Sequence, residues 1–219
     1  MNQRILVILP HPDDEAFGLA GTLAKRVDEG YQVTYACLTL GEMGRNMGNP
    51  PFANRVTLPQ IRKLELEESA RAIGIQDLRM LGFHDKTIEF EDQERLDGVI
   101  RGLLEELQPS LVVTFYPGYS VHPDHDATGA AVIRTIQGLP AEQRPVVHCL
   151  AFSKNCQQVL GPPDVTDDVN DYLEPKMKSI QAHRSQFQIA EMLGGKNPTH
   201  EEIQARFGTE HFWTYKFDV

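Results

Sequence analysis

Cysteine is scarce in this chain, positive charge is outnumbered, and long hydrophobic runs are missing. The three cysteines, Cys37, Cys149 and Cys156, form no CxxC pair. An odd, sparse set excludes a disulfide framework and reads as reduced thiols in a cytoplasmic protein, with Cys37 and Cys149 in apolar runs as core residues. Lys and Arg number 21 against 31 Asp and Glu, giving a net charge of -10. That balance argues against nucleic acid or an anionic membrane as partner, yet leaves room for a small anionic substrate held by a few local arginines. The apolar run Ile5 to Leu9 is broken at Pro10, too short for a signal peptide or a membrane span. A glycine-rich phosphate loop is missing too. The first strand–helix turn is Pro10-His11-Pro12-Asp13-Asp14, which would repel a pyrophosphate. Gly18 and Gly21 fall inside the following helix, where close packing is their expected use. Dinucleotide binding is therefore excluded.

What is present is enough for a core. At 219 residues and 41% hydrophobic, the chain reads as one domain spanning residues 1–219, without internal repeats or low-complexity tracts. Arg4 to Leu9 is a continuous apolar run, as in a strand buried on both faces. A helix is expected over Asp14 to Glu29, stopped by Gly30, then a strand from Gln32 to Leu40. The alternation continues with a helix over Leu58 to Ile73, a short strand Leu78 to Leu81, and a helix Gln93 to Leu107. A strand Leu111 to Tyr116, a helix Ala127 to Ile136 and a strand Val146 to Phe152 follow. The tail suggests helices near Leu173–Met192 and Thr199–Phe207 and a late strand Phe212 to Phe217. Such alternation implies an α/β, Rossmann-like open sheet, mostly parallel, with helices on both faces. Gly41 to Pro59 is a long Gly-, Asn- and Pro-rich loop of the kind that often carries function. Gly161 to Asp171 reads as a connector.

Two clusters carry the chemistry: His11-Pro12-Asp13-Asp14-Glu15 and His122-Pro123-Asp124-His125-Asp126. Both lie just past the carboxyl end of an expected parallel strand, where open α/β sheets bind ligands, so the two loops can meet in space. Alone, either could be a turn or a helix cap. Paired, they supply two His and an Asp for a three-ligand metal site with one position open to water. The remaining carboxylate and imidazole are then free for acid–base work. Spacing does not choose between Asp13 and Asp14 as ligand. His148 is expected to be packed in a strand; His200 and His211 stand alone.

These motifs resemble the PIG-L/LmbE-like zinc deacetylases, which remove N-acyl groups from N-acetylglucosaminyl compounds. The resemblance extends to Thr39-Leu40-Gly41-Glu42, Arg62-Lys63-x-Glu65, Leu81-Gly82-Phe83-x-Asp85 and Ala182-His183-Arg184-Ser185-Gln186. The stretches GEMGRNMGNPPFANR and TFYPGYSVHPDHDATG are most similar to the bacillithiol-biosynthesis deacetylases acting on N-acetylglucosaminyl malate. The resemblance implies His11, Asp14 and His125 as metal ligands, Asp13 as general base, His122 as partner imidazole and Asp124 as its orienting group. It also implies Arg62 as a substrate-binding residue. The ion expected is Zn²⁺, although a mixed His/Asp set also accepts Fe²⁺ or Co²⁺. A protonated His122 needs a raised pKa, which adjacent Asp124 would supply. The malate carboxylates need local positive charge, for which Arg62, Arg45 and Arg55 are the candidates. Tyr119 is a further substrate-binding candidate. The partner expected is thus a small amino-sugar glycoside, and both a monomer and a homo-oligomer suit the acidic surface. Alternatives are an amidase of bacillithiol S-conjugates, a deacetylase of another amino sugar, and a two-metal phosphoesterase.

Overall fold

The computed structural model describes residues 3–188 and 199–217. Its centre is β1 (Arg4–Leu9), which pairs in parallel with β2 (Gln32–Cys37) on one side and β4 (Leu111–Phe115) on the other. Further strands are β3 (Asp77–Met80), β5 (Val146–Leu150), β6 (Val165–Asp168) and β7 (Thr209–Thr214), giving the order β3-β2-β1-β4-β5-β7-β6. The first five strands in that order run parallel. β7 pairs antiparallel with both β5 and β6.

The apolar run of β1 splits between two cores, because successive side chains leave opposite faces. Ile5, Val7 and Leu9 pack with Leu23, Leu66 and Ile73, from α2 (Ala20–Asp28) and α3 (Leu58–Ile73). Leu6 and Ile8 pack with Ile100, Leu104, Val132 and Ile136, from α4 (Gln93–Leu107) and α5 (Pro123–Gln137). Burial on both faces is what made the run continuous in sequence. Gly129 lets α5 lie directly on β4, since a Cβ there would collide with the Phe115 carbonyl.

Several boundaries differ from expectation for local reasons. The helix expected over Asp14 to Glu29 breaks at Leu19 into α1 (Asp14–Gly18) and α2. The amides of Gly21 and Thr22 donate to the buried Glu210 carboxylate at 3.0 and 2.7 Å, which starts a new helix there. Gly21 also lies against Val169, confirming its packing use. α5 begins at Pro123, inside the second cluster, because His122 caps it by accepting from the Asp124 amide. The connector Gly161 to Asp171 contains β6, whose alternating half-exposed pattern is that of an edge strand. The late strand lies a few residues earlier than expected, at Thr209–Thr214. Chain order continues through α6 (Cys156–Leu160) and α7 (Leu173–Ala182) to α8 (His200–Phe207), which opens on a Thr199/Glu202 capping box. The helix expected to reach Met192 ends at Ala182, residues 183–188 being turn and loop, and its last expected residues, 189–192, lie outside the described residues. His148 is packed, stacking on Phe212. No helix among the described residues is long and apolar enough to cross a membrane.

Candidate active site

Both clusters meet at the carboxyl ends of β1 and β4. His11 Nδ1 and His125 Nε2 are 3.2 Å apart. Asp14 offers one carboxylate oxygen to each, 3.6 Å from His11 and 3.2 Å from His125. A tetrahedral ion with bonds of about 2.0–2.1 Å needs donors separated by about 3.3 Å, and the spacings between the two imidazole nitrogens and the two Asp14 oxygens are of that order. His122 adds a third imidazole, its ring centroid 4.9 Å from that of His11 and 5.1 Å from that of His125.

The outward nitrogens are also fixed. His125 Nδ1 reaches the Ser120 carbonyl at 3.2 Å, and its ring stacks on Phe115 with centroids 3.9 Å apart. His11 Nε2 lies 3.0 Å from Asp124 and 3.2 Å from Asp85. Carbonyls and carboxylates behind the imidazoles are the usual way a metal-ligating histidine is held in one tautomer. His11, Asp85 and Asp124 form a second donor set by proximity. Both carboxylates are already engaged by backbone amides: Asp85 by Met43 at 2.8 Å, Asp124 by Lys86 at 2.6 Å and Ile88 at 3.2 Å. That set is the rear support of His11.

Burial lowers the His11 pKa, but hydrogen bonds to Asp124 and Asp85 and the charge of Asp14 outweigh it and lift the group to about 10. Burial pushes Asp14 up, yet His125 and His11 pull it down to about 2. Three carboxylates, Asp14, Asp85 and Asp124, thus surround the His11 ring, an environment that suits a cation.

Asp13 lies beside the donor triangle in the left-handed region, with φ 102°. Its amide is held by the Glu15 carboxylate at 3.1 Å and its own carboxylate by the Arg62 guanidinium at 2.8 Å. Burial raises the Asp13 carboxyl, Arg62 lowers it and Asp14 raises it, leaving it at about 6. Arg62 also donates to the carbonyls of Gly41 and Pro12, while its buried Nε has no partner. Gly41, at φ 63°, leaves room for that guanidinium, which a Cβ would strike.

Four expectations change here. Asp124 does not orient His122; its carboxylate turns inward to His11, because α5 starts early enough to aim its first turn there. His122 instead accepts the Asp124 amide through Nδ1 at 3.2 Å, and burial with the neighbouring His11 and His125 lowers its pKa rather than raising it. Arg55 donates to the carbonyls of Glu42 and Gly44, stapling the 41–59 loop instead of lining the cleft. Tyr119 packs against Tyr116 in a side cluster with Ala151, Cys156 and Trp213, away from the metal donors.

The cleft above the donors measures about 500 Å³, and Arg45, Lys86, Gln186, Phe17 and Phe187 are among its lining residues. Its loop is stitched down: Gly48 donates to the Ser185 carbonyl at 2.9 Å, and Asn46 and Gln186 exchange bonds of 2.7 and 3.0 Å. Beneath lies a buried pair, Glu15 with His183 at 2.7 Å, joined by Ser69 and Tyr35. Burial opposes charge on both, but their mutual attraction lowers Glu15 and raises His183. Reading spacing alone missed Asp85, Lys86, Glu15 and His183; the segments around Asp85 and His183 were the available signals.

Residues 6–136, more than half of the chain, match the family model PIG-L: GlcNAc-PI de-N-acetylase. The chain belongs to this family and is an enzyme of the de-N-acetylase class. A Bacillus cereus protein named probable N-acetyl-alpha-D-glucosaminyl L-malate deacetylase 2 is 48% identical over 225 residues, covering 100% of both chains. The solved N,N'-diacetylchitobiose deacetylase from Pyrococcus horikoshii superposes with a TM-score of 0.74 at 27% identity, covering 97% of this chain and 84% of that one. A Pseudomonas putida hydratase, 4-carboxy-2-hydroxymuconate hydratase, superposes with a TM-score of 0.75 at 15% identity, over 99% and 98% of the two chains. The fold alone therefore does not determine the reaction, and the site must.

Proposed function

We propose that the protein is a zinc-dependent deacetylase of N-acetylglucosaminyl malate, acting in bacillithiol biosynthesis. The observation that carries this reading is the cluster of His11, Asp14 and His125 with Asp13 beside it, in a chain 48% identical throughout to a protein named probable N-acetyl-alpha-D-glucosaminyl L-malate deacetylase 2. His11, Asp14 and His125 would hold the ion. When bound, zinc supplies a Lewis acid that lowers the pKa of water from 15.7 to about 7 and polarises the acetamide carbonyl.

The chain's own groups do the rest. Asp13 accepts a proton from the attacking water, and a carboxyl near 6 suits that task at neutral pH. The water oxygen bonds to the carbonyl carbon, and charge moves to the carbonyl oxygen. His122, with Nδ1 committed to the Asp124 amide, has Nε2–H as its donor for that oxygen. The C–N bond then breaks as Asp13 returns its proton to the sugar nitrogen, yielding acetate and the free amine. Asp13 takes this last role because the lowered pKa of His122 makes it a poor reservoir of protons.

The test is release of free amine from N-acetylglucosaminyl malate by the zinc-loaded protein, with N-acetylglucosamine alongside. Rapid release from the glycoside and slow release from the free sugar is the expected outcome. Zinc binding without release from either would remove the substrate assignment.

A further inference from the structure

The cleft is acidic at its floor and the protein is acidic throughout, so a dicarboxylate aglycone needs cations at the mouth. Two of the expected arginines are spent. Arg62 is bound to Asp13 and two carbonyls, and Arg55 to two loop carbonyls. Arg45 and Lys86 line the same cleft, both are exposed, and among the described residues neither meets a carboxylate within ion-pair distance. We propose that Lys86, paired with Arg45, is the specificity determinant that receives the carboxylates of the substrate's aglycone; this rests on the proposed function above.

The architecture supports a matched pair. Arg45 and Lys86 project from two loops that are tied to each other: Asp85 accepts from the Met43 amide at 2.8 Å, and Glu42 accepts from the Asp85 amide at 3.1 Å. The acids of these two loops are engaged elsewhere, Asp85 with His11 and Glu42 with the backbone. Lys86 sits at φ 65°, a conformation that glycine or asparagine adopts more cheaply. Its amide is pinned there by Asp124 at 2.6 Å, the same carboxylate that holds His11. A lysine kept at a backbone position better suited to glycine implies that its side chain is used. The bond to Asp124 also fixes the base of this cation relative to the metal-ligating imidazole, so aglycone and acetamide are registered by one residue.

The experiment measures affinity, so that it does not depend on turnover. Zinc-loaded protein is titrated calorimetrically with glucosaminyl malate, the amine left after acetate departs, and with glucosamine. K86Q and R45Q are each expected to weaken glucosaminyl malate about tenfold, the scale of a lost charge-assisted hydrogen bond, and to change glucosamine far less. K86R should recover most of the loss. K178Q, which removes a lysine paired with Glu174 on α7, controls for net charge. Raising the salt should weaken the wild type more than K86Q. Equal affinity of wild type and K86Q for glucosaminyl malate, an equal loss for both ligands, or no binding by the wild type overturns the proposal. Lys86-dependent binding without acetate release from the N-acetyl form would sustain it and sink the proposed function instead.

Discussion

Arg62 was expected to bind substrate, yet its guanidinium is spent on Asp13, and that contact has a measurable consequence. Arg62→Gln removes a cation whose nitrogen lies 2.8 Å from the Asp13 carboxylate. With charge centres about 4 Å apart and an effective dielectric constant near 20, the attraction is at most about 4 kcal/mol. The Asp13 side chain is 16% exposed, so solvent screens part of this. A carboxylate beside an arginine is lowered by about one to three pKa units, and losing the arginine returns that amount. The sign follows directly: Arg62 lowers the Asp13 pKa, so its removal raises it. Because Asp13 works as a base when ionised, the acidic limb of the kcat/KM profile moves to higher pH by about one to three. Activity at pH 7 falls accordingly and recovers in part at pH 9. A bound zinc displaces the limb in parent and variant alike, so the difference between them is the quantity to read. Arg62→Lys, which keeps the charge, should restore most of the limb's position. A limb that stays in place in Arg62→Gln, with activity lowered equally at every pH, would refute the coupling and leave Arg62 a purely structural residue.

Asp13→Asn should keep stoichiometric zinc while kcat falls about 10²- to 10⁴-fold, the contribution typical of a general base, checked by metal analysis and steady-state kinetics. His125→Ala should lose both zinc and turnover, and normal metal content with retained activity would defeat the ligand assignment. Zinc affinity should fall as the pH is lowered, since the ion must displace the proton that Asp124 and Asp85 favour on His11, and competition with a chelator across pH reads this. Glu210→Ala should cost about 3–5 kcal/mol in urea unfolding, because it strands the Lys176 ammonium, 1% exposed, and two α2 amides. Lys176→Met should cost less, since Glu210 keeps both amide partners; a larger loss for Lys176→Met would show that the pair, not the helix terminus, holds that carboxylate.

Much of the fold could be read from the chain because β1, α3 and α4 obey local rules: continuous apolar burial, a 3.6-residue period, Gly74 stopping α3 in the left-handed region, and Asp92 capping α4. The break at Leu19 was hidden because its cause, Glu210, lies almost the whole chain away. At the site, residue types and strand ends brought His11, Asp13, Asp14, His122 and His125 together on the page before the structure did so in space. The direction of side chains was not readable. Tyr119 follows a Pro117-Gly118 turn that sends its ring sideways, and Arg55 bends back on its own loop while Arg45 reaches the cleft. Asp124 is adjacent to His122 in sequence, but a residue in the first turn of a helix faces whatever that turn covers, here His11. Lys86 carries no motif at all; only its unusual backbone and its cleft position single it out.

The buried bond between Glu15 and His183 also bears on how the enzyme is made. Glu15 holds the Asp13 amide, and through His183 it is anchored to chain that is synthesised long after it. Glu65 likewise reaches forward to Ser185, and the start of α2 to Glu210. A ribosome delivers the HPDDE motif first and these anchors near the end. The nascent chain can therefore pair its parallel strands and display His11, Asp14 and His125 while Glu15, which holds the Asp13 amide, still lacks its His183 partner. Residues 6–136, the stretch the family model matches, hold every proposed ligand, while the Glu15–His183 bond beneath them forms only with the segment beyond.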